Sequence, residues 1–124
     1  MILNSINRTI KYLREEGCIC GNVEKYNQYS KKKNDLFGFI DIICIEPGVG
    51  VVAVQACGSD YRTHIEKMLG ERNENMYEWL KYNRVKLYGW RKLKLKRGGK
   101  ARRWYPRIAE FFLEDDEIKM IEIK

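Results

Sequence analysis

The sequence contains no run of about 18 consecutive apolar residues, which excludes a membrane-spanning helix. Its first residues also lack the basic segment and apolar run of a secretory signal peptide. Four cysteines in 124 residues are too few for a small disulfide-stabilised secreted scaffold. We therefore expect a cytoplasmic protein, not a secreted one, with reduced cysteines in its core.

Acidic residues are missing from one long segment. Residues 84–107, here called the basic segment, contain eleven lysines and arginines and no aspartate or glutamate. The whole chain has a formal net charge of +7, whereas its last residues, 114–124, are acidic. Cations interleaved with Trp90 and Trp104 are typical of surfaces that bind nucleic acid, where charges meet phosphates and rings stack on bases. The alternative is a solvated basic hairpin that only aids solubility.

The candidate nucleic-acid contacts are cations of three regions. They comprise a lysine-rich loop, one arginine after residue 60 that could hold a phosphate, and the basic segment. These residues are Lys31, Lys32, Lys33, Arg62, Arg91, Lys94, Lys96, Arg97, Lys100, Arg102 and Arg103.

The first half of the chain predicts one helix and three strands. Ile2, Ile6, Ile10 and Leu13 recur at helical spacing, and Gly17 stops the helix. Residues 18–26 predict a strand, and residues 31–34 a polar loop. The β-branched and aromatic runs 36–45 and 51–57 predict an antiparallel hairpin closed by the Pro/Gly turn 46–50.

The second half predicts helices followed by two more strands. Ser59 can cap a helix that Gly70 interrupts, and a second helical stretch follows. Strands are predicted over 84–92 and 104–113, and Pro106 favours an edge position or a bulge. With 44% hydrophobic residues, the chain fits one α/β domain over residues 1–124, a mixed sheet with flanking helices in the order α-β-β-β-α-(α)-β-β.

Asp41 is the residue that best indicates chemistry. It interrupts an apolar strand, and a carboxylate there needs a partner or a cation. With residues 46–50 as the loop, Ile45 pairs with Val51, and Asp41 falls directly opposite Gln55 on the same face. One carboxylate and one amide oxygen predict a partial shell for Mg²⁺ or Mn²⁺.

Asp35 is expected to lie outside this site. It is six residues from Asp41, which corresponds to about 20 Å along an extended strand. A role in capping a turn or holding a lysine is favoured over metal binding.

The hairpin resembles the core of the PD-(D/E)xK nuclease superfamily. The residues that carry the resemblance are those of segment 35–41, ending in Asp41, with the turn 46–50, the strand to Gln55 and Cys57, and the later Gly-Trp-Arg-Lys at 89–92. It covers about residues 2–112 and is similar to archaeal Holliday-junction resolvases and small phage-encoded nuclease-like proteins. The resemblance implies a restriction-endonuclease-like fold and the cytoplasm of a prokaryotic or phage-infected cell.

The same resemblance implies a divalent-metal-dependent DNA endonuclease, with duplex or branched DNA as substrate and a homodimer as the working form. This sequence departs from the superfamily in two positions, because Gln55 replaces the glutamate and Cys57 the lysine of Glu-x-Lys. The glutamate that resolvases carry on the first helix is also missing here. Lys67 or Lys92 could substitute for the absent lysine beside Asp41 and Gln55.

The sequence leaves other functional interpretations open. The cysteines lack the paired Cys-x-x-Cys spacing of structural zinc sites, and Cys57 with His64 lacks a recognisable nucleophile signature. Loss of Glu-x-Lys favours a nuclease-derived DNA-binding module without catalysis. A small basic domain that binds RNA or an acidic protein surface is the third alternative.

Overall fold

The computed structural model of the protein describes residues 4–70 and 73–124, so Ile2 lies outside the described residues. The described residues form three helices and eight strands. These elements are α1 (Ser5–Glu15), β1 (Ile19–Asn22), β2 (Lys25–Asn27), β3 (Lys32–Asn34), β4 (Ile42–Glu46), β5 (Gly50–Cys57), α2 (Tyr61–Gly70), α3 (Glu74–Leu80), β6 (Arg84–Lys94), β7 (Arg102–Glu114) and β8 (Glu117–Glu122).

Six strands form one mixed sheet in the order β1-β4-β5-β6-β7-β8. Neighbouring strands are antiparallel except β5 and β6, which are parallel because α2 and α3 carry the chain back between them. The predicted mixed α/β class is therefore confirmed. The short strands β2 and β3 form a separate hairpin.

The sheet has a hydrophobic core on each face. On one face α1 packs through Ile10 and Leu13, and a second core lies between the opposite face and the helices α2 and α3. Asn4 caps α1 by accepting the Asn7 amide at 2.8 Å, and Gly17, at a φ of +90°, ends it. The predicted first helix is thus confirmed where it is described.

Two strand predictions were wrong in their extent. The strand predicted over 18–26 ends at Asn22, and the lysines of the predicted loop 31–34 belong in part to β3. Residues 36–40 form a turn, because Phe37 and Gly38 adopt φ values of +55° and +81° and the Leu36 amide bonds back to the Ile40 carbonyl at 2.9 Å. The following strand therefore begins only at Ile42.

The C-terminal half agrees with the sequence more closely. Pro106 lies in a part of β7 that pairs with β6 but precedes the stretch paired with β8, so its edge position is confirmed. The acidic residues 114–124, which no pattern placed, contribute β8. Asp115 and Asp116 form its tight turn with φ values of +53° and +63°, as two-residue hairpins require. Among the described residues, the helices are all too short and too polar to cross a membrane.

Candidate metal centre and its cavity

Asp41 is a buried carboxylate at the entrance to β4, with 4% of its surface exposed. Its Oδ2 accepts a hydrogen bond from the Ala56 amide at 2.9 Å, and its own amide donates to the Val54 carbonyl at 3.0 Å. Both contacts tie Asp41 to β5. The carboxylate is therefore fixed in position but receives no countercharge from these contacts.

Two further carboxylates meet that of Asp41. One oxygen each of Glu24, Asp35 and Asp41 lies within 4.8 Å of the others. Burial raises the pKa of the Asp41 carboxyl to about 8, and Asp35 adds to the rise while the Ala56 amide opposes it. Burial also raises the pKa of Glu24, although Lys33, at 3.8 Å from its Oε1, opposes that shift. We call these three residues the acid cluster.

The turn at residues 36–40 brings Asp35 into the acid cluster. The Gly38 amide bonds to the Asp35 carbonyl at 3.1 Å, so the chain reverses where the sequence predicted an extended strand. The expectation that Asp35 lies about 20 Å from Asp41 was therefore wrong. Asn75, in α3, donates to the Phe37 carbonyl at 3.1 Å and so holds the turn from outside.

Glu24 is the residue that sequence reasoning missed. It follows β1, whose Asn22 pairs with Ile42, so strand pairing puts it next to Asp41. The Val23 amide donates to the Asp41 carbonyl at 2.9 Å and fixes this approach. Only knowledge of the β1–β4 register could have identified Glu24, because nothing in its local sequence is distinctive.

Gln55 lies on the face of β5 that carries Ala53 and Cys57, towards α2 and α3. Its Oε1 is buried and has no hydrogen-bond partner among the described residues. It lines a cavity of about 260 Å³ together with Asp35 from the turn and His64 and Lys67 from α2. The cavity wall therefore includes one residue of the acid cluster, the unpaired amide oxygen of Gln55 and the positively charged Lys67.

The predicted register of the hairpin is confirmed as far as Ile42. Ile45 pairs with Val51, and the ladder continues to Ile42 with Val54. Asp41 then leaves the regular pairing, because its amide bonds to Val54, which already faces Ile42. The prediction that Asp41 stands directly opposite Gln55 is corrected accordingly: its carboxylate reaches the backbone of the next residue, Ala56.

Lys92 does not belong with the other predicted site residues. Gln55 pairs with Leu87, and Lys92 is five positions further along β6, so its side chain leaves the opposite face of the sheet. On that face the Lys92 Nζ lies 5.2 Å from the centroid of the Trp104 ring. The Arg8 guanidinium of α1 also lies over the Trp104 ring, 3.8 Å from its centroid. The hypothesis that Lys92 replaces the missing lysine was wrong, whereas Lys67 lies on the cavity wall.

Cys57, Asp60 and His64 form a second group of metal-ligating atoms, again within 4.8 Å of one another. The His64 Nε2 lies 3.0 Å from the Asp60 carboxylate, so the imidazole already has a partner. Burial raises the pKa of the Cys57 thiol to about 12, which disfavours the thiolate that a nucleophile or a metal ligand needs. Cys18, Cys20, Cys44 and Cys57 are all free.

The predicted nucleic-acid contacts lie in three places. Lys31, Lys32 and Lys33 are exposed at the β2–β3 hairpin, and Arg62 is exposed near the start of α2. The others lie in β6, in β7 and in the loop between them. They are Arg91, Lys94, Lys96, Arg97, Lys100, Arg102 and Arg103, all exposed.

The chemistry of the acid cluster is that of a hard-cation site. Three carboxylates around one point repel one another unless protons or a divalent cation neutralise them, and oxygen ligands suit Mg²⁺ and Mn²⁺. Comparison of the chain with protein-family models, with curated proteins and with solved structures finds no match.

Proposed function

We propose that this protein is a divalent-metal-dependent endonuclease that hydrolyses phosphodiester bonds in DNA. The observation that carries the proposal is the convergence of Glu24, Asp35 and Asp41 beside a cavity lined by Gln55 and Lys67. The topology supports it too. An antiparallel group of β1, β4 and β5, followed by helices and a parallel β6, is what a restriction-endonuclease-like fold would give.

The residues present fit Mg²⁺ or Mn²⁺. The acid cluster supplies three carboxylates, and burial raises the pKa values of Asp41 and Glu24, with the neighbouring Asp35 carboxylate adding to both rises. The orphaned Oε1 of Gln55 offers a neutral oxygen in the adjoining cavity. A bound divalent cation would polarise a phosphate oxygen and make a bound water more acidic.

Lys67 provides the positively charged side chain that the lysine of Glu-x-Lys would provide and that Cys57, at that position, cannot. Its ammonium group can donate hydrogen bonds to a phosphate oxygen or to the attacking water, and this stabilises charge that develops in the transition state. In the reaction the water oxygen bonds to phosphorus, one ester P–O bond breaks, and the leaving oxygen takes up a proton. Asp41 must be ionised to hold the cation and its pKa in the metal-free protein is about 8, so at subsaturating metal the activity is expected to rise as the pH is raised towards 8.

The second candidate is a DNA-binding module of the same fold that has lost catalysis. The replacement of the superfamily lysine by Cys57 favours it, because a buried thiol with a pKa of about 12 is neutral and offers no charge to a phosphate. In that case DNA binds through the basic segment without metal-dependent cleavage.

A plasmid-nicking assay with Mn²⁺, Mg²⁺ or a chelator separates the two candidates. The endonuclease predicts metal-dependent nicking that Asp41→Asn reduces by about 10³ and Lys67→Ala by about 10². Lys11→Ala, an exposed lysine of α1 beyond the opposite face of the sheet, is the matched control and should cut at the wild-type rate. Nicking that Asp41→Asn leaves unchanged would contradict the proposed site.

Two features implied by the resemblance stay predictions. Preference for branched over linear duplex DNA is tested by cutting a four-way junction and its linear arms in competition. Homodimer formation is tested by sedimentation equilibrium with and without DNA. In the third alternative, RNA binding predicts that single-stranded or double-stranded RNA outcompetes DNA for the protein, and binding to an acidic protein surface predicts that neither nucleic acid binds tightly at physiological salt.

A further inference from the structure

We infer that the outer halves of β6 and β7 form an arm that enters the major groove of B-form duplex DNA. This inference takes from the proposed function only that the partner is DNA, and it does not require that the protein cuts the DNA. The arm consists of residues 91–105: the exposed outer parts of β6 and β7 and the loop between them. The arm contains none of the residues of the acid cluster.

The register defines the arm. β5 pairs with β6 only as far as Gly89, and β8 pairs with β7 only from Ala109 onwards. Trp90 and its partner Pro106 are still buried, and Trp90 donates to Thr9 of α1. Beyond them, Arg91 to Lys94 and Arg102 to Tyr105 are in register only with each other. Four further rungs at about 3.3 Å each, plus a loop closed by a Leu95–Ala101 hydrogen bond, make a two-stranded ribbon roughly 15 Å long.

Cations occupy both faces of the arm and its tip. Strand alternation puts Arg91 and Arg103 on one face and Lys94 and Arg102 on the other. The tip carries further exposed cations, and no acidic residue occurs anywhere in the basic segment. A ribbon that merely lay along a polyanion would need charge on one face only. Charge on both faces suits insertion between two phosphate backbones.

The size of the arm selects the groove. A two-stranded β-ribbon fits the major groove of B-DNA, about 12 Å wide, and is too broad for the minor groove of about 6 Å. The major groove of A-form RNA is deep and narrow, so the same arm is excluded from double-stranded RNA. B-form duplex DNA is therefore the partner that the shape favours.

The direction of the arm connects it to the acid cluster. Because β6 runs parallel to β5, the arm leaves the sheet at the end where β5 finishes with Gln55 and Cys57. Asp41 lies at that end too, since β4 is antiparallel to β5 and starts there. A duplex held by the arm is thus held at the end of the sheet that carries the candidate metal centre.

The test measures binding of the full chain to four versions of one labelled duplex, at fixed salt and with a chelator present to prevent cutting. The versions are plain DNA, DNA with glucosylated hydroxymethylcytosine filling the major groove, DNA with netropsin in the minor groove, and double-stranded RNA. We expect glucosylation and the RNA form each to weaken binding at least tenfold, and netropsin to change it less than twofold. Loss of binding on netropsin addition, or equal affinity for RNA, would overturn the inference.

Variants that remove two positive charges from one face of the arm test the two faces separately. Arg91→Gln/Arg103→Gln and Lys94→Gln/Arg102→Gln should each weaken binding to plain duplex at least tenfold. The matched control, Lys11→Gln/Lys119→Gln, removes two cations outside the arm and should change affinity less than threefold. If only one arm variant weakens binding, the DNA lies along one face and insertion is wrong. Thermal unfolding verifies that each variant is folded.

A small diester keeps this inference separable from the proposed function. Metal-dependent hydrolysis of bis(p-nitrophenyl) phosphate, which is too short to reach the arm, should be unchanged in both arm variants and lost in Asp41→Asn. Groove-dependent binding without any hydrolysis would support insertion of the arm and contradict the endonuclease proposal. Hydrolysis without groove-dependent binding would support the endonuclease proposal and contradict insertion of the arm.

Discussion

The Asp41 carboxyl group lies where a negative charge is expensive. It is buried, it adjoins Glu24 and Asp35, and it accepts a hydrogen bond from the backbone amide of Ala56, which carries no charge. Its pKa of about 8 is above the value of about 3.9 in an unfolded chain, so the native state holds the proton more tightly. That preference stabilises the metal-free protein at low pH and is lost as pH rises from about 4 through about 8.

We therefore predict that the melting temperature of the metal-free protein falls between pH 5 and pH 8. Asp41→Asn keeps an oxygen for the Ala56 amide but has no charge, so its decline over this range should be clearly smaller. Mn²⁺ should raise the melting temperature of the wild type more at pH 8 than at pH 5.5, because the cation competes with the proton. Thermal scans across pH, with and without Mn²⁺, measure both effects.

The opposite result is easily recognised. A melting temperature that rises from pH 5 to pH 8 in the wild type, or a Mn²⁺ effect equal in Asp41→Asn and wild type, would contradict a buried protonated carboxyl at this position.

Gln55 carries a second cost, since its Oε1 is buried without a partner among the described residues. We predict that Gln55→Leu, which has a similar shape but no polar atom, leaves the free energy of unfolding unchanged or raises it by about 1 kcal/mol. The same change should weaken Mn²⁺ binding about tenfold, because one oxygen ligand is lost. Urea unfolding and Mn²⁺ titration measure the two quantities. A large loss of stability with normal Mn²⁺ affinity would make Gln55 a structural residue.

Part of this site was predictable from local chemistry. Asp41 is a charge in an apolar run, and Gln55 follows from the length of the hairpin loop, so both could be singled out. Glu24 and Asp35 could not, because their approach to Asp41 depends on the β1–β4 pairing and on the turn at 36–40. Whether the four residues act as proposed stays a prediction.

At the scale of elements, the predictions held best where one apolar face and a clear stop signal coincide. Helix α1 and the β4–β5 register are of this kind. The failure at 36–40 has a physical reason: its β-branched and aromatic composition favours a strand, but Gly38 permits a positive φ and α3 holds the turn through Asn75. A long-range contact thus overrode the local preference.

Close packing of α2 on β6 gives an element-scale prediction. A Cβ at Gly89 would lie 2.7 Å from Cγ of the buried Tyr61, far inside normal contact. Gly89→Ala should therefore destabilise the protein by about 1–3 kcal/mol, which corresponds to a fall of roughly 4–10 °C in melting temperature. Gly21→Ala in β1 meets nothing within 4 Å and is the control, with a change below about 1 kcal/mol. Equal melting temperatures for the two variants would show that Tyr61 moves without cost.

At the scale of the whole molecule, the charge is segregated. The basic segment carries eleven cations and no acids, whereas the residues that follow it are acidic in balance. The overall charge and its position could be read from the sequence. The sequence also predicted strands on both sides of a basic loop, but it did not reveal that their outer halves pair with no other strand, because that depends on where β5 and β8 stop pairing.

We predict a steep salt dependence of duplex DNA binding. If about five or six of the arm's cations meet phosphates, the slope of log K against log salt is about −5, and affinity falls about 10³-fold between 50 and 200 mM salt. Fluorescence anisotropy over this salt range measures the slope, and each arm variant that loses two cations should make it shallower by about 2. A slope near −1 would mean that the arm does not bind the DNA backbone.

The contact between Asn75 and the Phe37 carbonyl has a consequence for the shortest helix, α3. Asp35 reaches the acid cluster from the turn that this contact steadies, so if the acid cluster binds the proposed cation, cation binding and the order of α3 are thermodynamically reciprocal. On that proposal, a change that loosens α3 would weaken cation binding, and a bound cation would make α3 harder to unfold. Seven helical residues remote from the scissile bond would thereby set how much divalent cation the protein requires before it can cut.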